Sequence, residues 1–212
     1  MVSSRACACS ARGNDTTWVQ PDTDNDTVKD ARPRKIAVIG SHGIRKTTAV
    51  HGIAAAARTR GVRVAVVPEL IRSNPLGHNE GATPEAQLWV VVAQIRAELE
   101  AAPDVDLVVT DRAAADNFAY YLRTTAGADP YGLEPLVRAW SMTTDRFVRL
   151  LPDIGLEDDG FRSSDPRFRA EIEAILDAWL PRLLPADRLL VRAASTVTPS
   201  TDWSDLVAAT LG

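Results

Sequence analysis

Residues 40–48, GSHGIRKTT, combine the residue types that bind a polyphosphate, and they follow the apolar run Lys35–Ile39. Gly40, Lys46 and Thr47 match the spacing G-x-x-x-x-G-K-[ST] of a phosphate-binding loop. Glycine lets backbone N–H groups surround an anion, the lysine meets the β and γ phosphates, and the hydroxyl binds Mg²⁺. The loop therefore predicts a site for ATP or GTP with Mg²⁺. The predicted nucleotide-binding residues are Gly40, Ser41, His42, Gly43, Ile44, Arg45, Lys46, Thr47 and Thr48.

Arg45 occupies the place where this motif has its second glycine. A left-handed backbone costs a non-glycine residue about 1–2 kcal/mol, and a long side chain there could crowd the bound phosphates. Three outcomes stay open: the loop binds nucleotide weakly, the guanidinium turns into solvent or onto the phosphates, or the site is inactive. A strand-to-helix turn without a ligand is the alternative to a phosphate site.

Two acidic residues follow other apolar runs. Asp111 comes after Val105–Thr110, where a carboxylate can hold Mg²⁺ opposite the Thr47 hydroxyl. Glu69 comes shortly after Val62–Val67 and could accept the proton of an attacking hydroxyl as a general base. The alternative for Glu69 is an ordinary surface position.

Two arginines stand close to these acids. Arg112 follows Asp111 directly, and an arginine beside a transferring phosphate stabilises negative charge through bidentate hydrogen bonds. The alternative is a solvated charge pair of Asp111 and Arg112. Arg72 lies three residues beyond Glu69 and could pair with it or with an anionic group of an acceptor.

These side chains need a scaffold that brings several strand ends together. Beyond Arg34, short β-branched runs alternate with longer Ala- and Leu-rich stretches, which is typical of an α/β fold with a parallel sheet. The predicted strands are Lys35–Ile39, Val62–Val67, Val105–Thr110, Arg146–Leu151 and Asp187–Ala193. The predicted helices run to about Arg60, from Pro84 to about Ala101, from Ala113 to Arg123, around Tyr131 to Met142, to about Leu184 and from about Asp202 to Leu211. We predict a doubly wound, five-stranded parallel sheet with helices on both faces and ligands at the carboxyl ends of its strands.

The composition fits one globular domain. The 212 residues carry 24 Lys and Arg against 28 Asp and Glu, a net charge of −4, with 45% hydrophobic residues. The acidic balance disfavours nucleic acid as a partner. No apolar run reaches the length of a membrane span and no signal peptide is recognisable, so we expect a cytoplasmic protein without a membrane partner. Residues 1–33 are polar and aperiodic, which predicts a disordered leader before a domain over 34–212.

Five segments carry a resemblance to a known group: GSHGIRKTT, VVPELIR, EAQLWVVVAQIRAEL, VVTDRAAADNFAYY and LEDDGFRSSDPRFR. Together they resemble the AAA-type P-loop kinases and ATPases that include ribosylnicotinamide kinases, and more distantly deoxynucleoside and thymidylate kinases. The resemblance covers most of the chain from Lys35 to about Leu184.

The resemblance implies roles for several residues. In deoxynucleoside kinases a Glu after the second strand is the catalytic base, an acidic residue and Arg follow the third, and a helix Gln reads the base. The matching positions are Glu69, Asp111 with Arg112, and Gln87. Asp116 and Tyr120 would line the acceptor pocket, whereas Ala113 replaces the usual Ser or Thr. For Gln87, the polar face of an ordinary helix is the alternative.

The stretch Pro152–Asp165 is charged and contains glycine, and in the resembling kinases a lid over the phosphates lies at this point. Arg162, Arg167 and Arg169 are candidates for supplying positive charge as the γ-phosphate moves, and we select Arg162. The alternative is a solvated loop whose arginines are balanced by nearby acidic residues.

The sequence as a whole predicts an ATP- and Mg²⁺-dependent phosphotransferase that acts on a small hydroxyl- or phosphate-bearing acceptor, such as a nucleoside or nucleotide. Lys46, Glu69, Asp111, Arg112 and Arg162 are its predicted catalytic residues. The alternative function is a nucleotide-binding regulator or a slow NTPase, which the arginine at position 45 supports. The oligomeric state is open, a homodimer included.

Overall fold

Five parallel strands form the sheet that carries the predicted sites. The computed structural model describes residues 32–156 and 163–212. Its strands are β1 Arg34–Ile39, β2 Val64–Val67, β3 Leu107–Asp111, β4 Arg146–Leu151 and β5 Leu189–Ala193. They lie in the order β2-β3-β1-β4-β5, and every neighbouring pair is parallel. The predicted fold class, an α/β fold with a five-stranded parallel sheet, is confirmed.

Helices follow or connect the strands. They are α1 Lys46–Arg58, α2 Pro84–Ala101, α3 Ala114–Thr124, α4 Glu134–Ser141, α5 Pro166–Leu183 and α6 Ser204–Leu211. The start of α2 is capped as its sequence predicts, because the Thr83 hydroxyl accepts a hydrogen bond from the Ala86 N–H at 3.2 Å. Among the described residues, no helix is both long enough and apolar enough to cross a bilayer.

Two apolar cores cover the two faces of the sheet. On one face, Phe118 of α3 packs 4.9 Å from Trp179 of α5, measured between ring centroids. On the other face, Ile53 of α1 and Val207 of α6 pack with the fully buried Trp203. Burial of such side chains contributes about 1.5–3 kcal/mol each, so both faces hold the strand ends in fixed positions.

Strand register places the candidate site at the carboxyl ends of the strands. Val38 of β1 pairs with Asp111 of β3, and the Arg112 N–H donates to the Val38 carbonyl at 2.9 Å. The phosphate-binding loop leaves β1 two residues after Val38. Because β2 and β3 are also in register, with Val67 beside Thr110, the segments that follow β1, β2 and β3 meet at this end of the sheet.

Some element boundaries differ from the sequence prediction. β2 begins at Val64 because the Val62 N–H still donates to the Ala57 carbonyl of α1 at 3.2 Å. α4 begins at Glu134, because the Asp129 carboxylate accepts from the N–H groups of Leu133 and Glu134, both at 2.9 Å. Local hydrogen bonds such as these delay the start of an element without disturbing its apolar periodicity.

The compact unit of the described structure extends over Arg32–Gly212. Arg32 is joined to it by an ion pair with Asp145, whose carboxylate oxygen lies 3.0 Å from the guanidinium. The rest of the predicted leader, residues 1–31, lies outside the described residues.

Candidate active site

The phosphate-binding loop has the backbone that its glycines predict. Gly40 has φ of 134° and Gly43 has φ of 69°. A Cβ on Gly40 would lie 2.6 Å from Ile44 Cδ1 and 2.7 Å from the Leu150 carbonyl oxygen. Only glycine therefore fits at position 40, both for its backbone angle and for the space around it.

Arg45 adopts the left-handed conformation of the glycine that it replaces. Its φ and ψ are 62° and 25°, and it is the residue directly before α1. The side chain is exposed and its Nη1 donates to the carbonyl of Val197, in the segment after β5, at 3.0 Å. The guanidinium thus lies against the β5–α6 connection, and this hydrogen bond offsets part of the backbone cost of about 1–2 kcal/mol.

Lys46 is buried at the start of α1. Its ammonium donates a hydrogen bond to the Ser41 carbonyl, which closes the loop on itself. Burial and, after it, the positive charge of Arg112 lower the pKa of Lys46 to about 8, while Glu69 and Asp111 act in the opposite direction. The negative charge of a polyanion in the loop would stabilise the protonated form of Lys46.

Thr47 and Asp111 lie in contact. The Thr47 hydroxyl donates to Asp111 Oδ2 at 2.5 Å, and Asp111 Oδ1 is buried with no hydrogen-bond partner among the described residues. A hydroxyl and a carboxylate are oxygen ligands of the kind that Mg²⁺ prefers. The described residues contain no group of three or more His, Cys, Asp or Glu suited to a metal. The pair therefore fits a cation that takes its other ligands from phosphate oxygens and water.

Arg112 is the centre of a buried ion-pair network. Its Nε donates to Glu69 Oε1 at 2.8 Å, its Nη1 to Asp116 Oδ2 at 3.2 Å, and its Nη2 to the Tyr120 hydroxyl at 3.3 Å. Burial disfavours the charge, but the attraction of Tyr120, Glu69 and Asp116 outweighs it and raises the pKa of Arg112 well above its ordinary value. The side chains of Glu69 and Arg112 are each 6% exposed, so Glu69 is not an ordinary surface residue.

Asp116 joins the start of α3 to the phosphate-binding loop. Its Oδ1 accepts from the Ala113 N–H at 2.7 Å, and its Oδ2 accepts from the Gly40 N–H at 3.4 Å as well as from Arg112. Complete burial raises the pKa of Asp116, and the Arg112 charge acts against this rise. Asp116 thus contacts the start of α3, the phosphate-binding loop and Arg112 at once.

A small cavity of about 30 Å³ adjoins this network. Its wall is polar at Glu69, Gln87 and Arg112 and aromatic at His42, Tyr120 and Phe168. The Phe168 ring centroid lies 5.4 Å from that of His42 and 6.1 Å from that of Tyr120. Its lining combines aromatic rings with several polar side chains, and such groups can orient a small molecule.

A model of the AAA domain family matches residues 35–195. The chain belongs to the AAA domain family. No curated protein matches the chain. The family match agrees with the group that the five sequence segments resemble.

Solved structures similar to this AAA domain include two of the NadR protein. The complex with NR has a TM-score of 0.61 at 19% identity and covers 84% of this chain and 50% of that chain. The complex with NAD and AMP-PNP has a TM-score of 0.63 at 18% identity and covers 85% and 50%. Thymidylate kinase from Candida albicans has a TM-score of 0.51 at 12% identity and covers 76% and 84%. The AAA domain thus spans half the length of the NadR chains, and at these identities the likeness concerns the fold.

The structure of the AAA domain brings most of the predicted side chains together. Glu69, Gln87, Arg112 and Tyr120 line the cavity, and Asp111 lies beside the loop at Thr47. Arg72 is exposed on the 3₁₀ turn Leu70–Ser73 and is not a cavity residue, although Ile71 of the same turn is.

The predicted lid is described only at its two ends. Arg162 lies outside the described residues, and Arg167 is exposed. Arg169 donates to the Ile154 carbonyl at 3.0 Å, which joins the first turn of α5 to the segment after β4. In that segment, Leu156 lies against the loop, because its Cδ2 would be 3.0 Å from a Cβ on Gly43.

Sequence reasoning missed Phe168 as a cavity residue. Its only signal is a position in the first turn of α5, next to the predicted lid. His42 was expected to bind nucleotide as part of the loop, and its ring also lines the cavity beside Phe168.

Proposed function

We propose that this AAA domain is a Mg²⁺- and ATP-dependent kinase that phosphorylates a nucleoside or nucleotide. The observation that carries the proposal is the Glu69–Arg112 pair, 2.8 Å apart, in the wall of a cavity beside the phosphate-binding loop. A carboxylate in a cavity next to a polyphosphate site has the placement that a base for phosphoryl transfer requires.

The loop would bind the triphosphate. Backbone N–H groups at the start of α1 favour negative charge, and the Lys46 ammonium adds a full positive charge. Thr47 and Asp111 would hold Mg²⁺, which when bound neutralises charge on the phosphate oxygens.

The acceptor would bind at this cavity, which would have to widen from its enclosed volume of about 30 Å³. The aromatic wall of His42, Tyr120 and Phe168 suits a planar ring, and the Gln87 carboxamide can donate to and accept from such a ring. Arg72, three residues beyond Glu69, would pair with an anionic group of a phosphate-bearing acceptor.

Phosphoryl transfer would then proceed with Glu69 as base. Its carboxylate takes the proton of the acceptor hydroxyl while the acceptor oxygen bonds to the γ-phosphorus, and the bond to the β–γ bridging oxygen breaks to release ADP. Arg112 holds the Glu69 carboxylate in place. In the predicted lid, Arg162 would add positive charge to the transferring group.

The similar structures support this chemistry. The NadR structures are complexes with NR and with NAD and AMP-PNP, and the third structure is a thymidylate kinase. These ligands and this enzyme name support a nucleoside or nucleotide acceptor and an adenine nucleotide donor.

A second candidate function is a nucleotide-binding regulator or slow NTPase. The observation that favours it is Arg45, a long side chain in the left-handed position directly before Lys46. Such a protein would hydrolyse ATP at the same rate with or without an acceptor, or bind ATP only.

The test is acceptor-dependent transfer. The purified protein is incubated with Mg²⁺-ATP and a panel of nucleosides, nucleotides and ribosylnicotinamide, and ADP and phosphorylated product are both measured. We expect an acceptor that raises ADP release and gains the γ-phosphate. In Glu69→Gln this rate should fall about 10²–10⁴-fold with ATP affinity retained. If the protein binds ATP but transfers phosphate to no acceptor of the panel, the kinase proposal is wrong.

A further inference from the structure

A chain of buried polar side chains leads from the amino end of β1 to Arg112. Lys35 Nζ donates to Glu98 Oε2 at 2.8 Å, and Gln94 Nε2 donates to Glu98 Oε1 at 3.0 Å. The same Gln94 Nε2 also donates to the Arg112 carbonyl at 3.2 Å. The Lys35 and Glu98 side chains are 10% and 3% exposed, and Gln94 is fully buried. Buried ionic groups are weak sources of stability, so a chain of this kind calls for a more specific role.

The group at the end of this chain is a strained backbone. Arg112 has φ of 84°, a value that side-chain-bearing residues rarely adopt. Its N–H donates to the Val38 carbonyl at 2.9 Å, and its carbonyl accepts from Gln94. The main chain of Arg112 is therefore held on both sides, by β1 and by α2.

This backbone decides where the guanidinium lies. From it the Arg112 side chain reaches Glu69 at 2.8 Å and Asp116 at 3.2 Å, on two different segments. If Arg112 had a negative φ, its Cα–Cβ bond would point in another direction. The guanidinium could then not contact both Glu69 and Asp116. The hydrogen bond from Gln94 to the Arg112 carbonyl therefore affects the Glu69–Arg112 pair, on which the proposed function rests.

Stability alone does not explain why a glutamine stands at position 94. Its Oε1 is buried with no hydrogen-bond partner among the described residues, which is a cost that an apolar residue of the same size would avoid. What the carboxamide adds is the Nε2 donor, and one of its two acceptors is the Arg112 carbonyl.

We infer that Gln94 is a positioning residue: it holds the Arg112 main chain in the left-handed conformation from which the guanidinium fixes the Glu69 carboxylate. The kinetic consequence rests on the proposed function, whereas the conformational one does not. Gln87, seven positions earlier on the same helix, lines the cavity. An acceptor at Gln87 would therefore contact the helix that also holds Arg112.

The first test reads the Arg112 side chain directly. In ¹⁵N-labelled protein, the Arg112 Nε–H signal is assigned by its loss in Arg112→Lys. We expect slow hydrogen exchange of this group in the wild type, and a shifted signal with at least about tenfold faster exchange in Gln94→Met, which has similar volume but no donor. An unchanged Arg112 signal in Gln94→Met would overturn the inference.

A matched control separates positioning from loss of stability. Val91→Ala removes buried volume from the same helix without touching the Arg112 carbonyl. It should lower stability and leave the Arg112 signal in place, and an equal change in both variants would also overturn the inference. If Gln94→Met does not fold, Gln94→Asn is used, because its amide is one methylene too short to reach the carbonyl.

The second test is kinetic. Once an acceptor is identified, Gln94→Met should lower kcat about tenfold and leave the KM for ATP within about twofold, because the hydrogen bonds of Gln94 go to Glu98 and Arg112 and to no residue of the phosphate-binding loop. A perturbed Arg112 signal with unchanged kcat would refute a role in the reaction. The exchange measurement needs no activity, so failure of the kinase proposal would leave it interpretable.

Discussion

The Glu69 carboxylate lies 2.8 Å from the Arg112 Nε, although the two residues are 43 positions apart in the sequence. The pair joins the segment after β2 to the segment after β3, and Arg112 also reaches Asp116 at 3.2 Å. The candidate base is therefore held by an arginine that is itself held by a second carboxylate.

Arg112→Lys should break this arrangement. A lysine has a single ammonium and cannot meet Glu69, Asp116 and Tyr120 in the planar fork that arginine provides. We expect a loss of about 1–3 kcal/mol in the free energy of unfolding, measured by urea denaturation, because a buried partner loses its hydrogen bond. Arg63→Lys is the control, since its ion pair with Asp106 is largely exposed and its loss should change the free energy of unfolding much less. Equal losses in the two variants would contradict the central place of Arg112.

The sequence predicted the strand-end residues well and their partners poorly. Thr47 and Asp111 are found together because both follow from motif spacing and parallel strands, which place strand ends at one edge. The two carboxylates around Arg112 could not be derived in this way, since a side-chain pairing depends on the angle at which each segment leaves the sheet. Asp116 was expected in the acceptor pocket, but it is not among the residues that line the cavity, and its carboxylate caps α3.

The burial of a side chain could also not be predicted from the spacing of motif residues in the sequence. The motif identified Lys46, but its pKa of about 8 depends on complete burial and on the nearby Arg112. Gln94 carried no sequence signal, because its role follows from the positive φ of Arg112.

Stability should rise with pH through the range in which Lys46 titrates. The folded, ligand-free protein has a Lys46 pKa of about 8, below the value of 10.5 for an unperturbed lysine. Between these two values the unfolded chain binds more protons, so the free energy of unfolding increases with pH, by up to about 3 kcal/mol in all. Lys46→Met should flatten this rise in urea denaturation from pH 7 to 10. An equally steep rise in the variant would contradict the lowered pKa.

Binding of ATP should be accompanied by proton uptake. A triphosphate beside Lys46 stabilises its charged form and returns its pKa toward the ordinary value, so a proton is taken up near pH 8.5. Titration calorimetry in buffers of different ionisation enthalpy measures this uptake. We expect a fraction of one proton in the wild type and less in Lys46→Arg, which keeps a positive charge at all these pH values. The same uptake in both proteins would place the titrating group elsewhere.

Arg45→Gly should change ATP affinity only slightly. Arg45 already has the left-handed backbone of the missing glycine, and its guanidinium is hydrogen-bonded to the Val197 carbonyl at 3.0 Å. Glycine would remove a backbone cost of about 1–2 kcal/mol and lose a hydrogen bond of about 0.5–1.5 kcal/mol, and we expect both to be the same with and without ATP, so that they act on stability and not on affinity. We expect the Kd for Mg²⁺-ATP to stay within about fivefold of the wild-type value, which is a difference of about 1 kcal/mol.

The control for this variant is Gly40→Ala at the other end of the same loop. Its Cβ would lie 2.6 Å from Ile44 Cδ1 and 2.7 Å from the Leu150 carbonyl oxygen, and the φ of 134° is itself unfavourable for alanine. ATP binding should therefore fall by at least about tenfold. A gain of a hundredfold in Arg45→Gly would instead mean that the arginine obstructs the phosphates, and it would favour the regulator over the kinase.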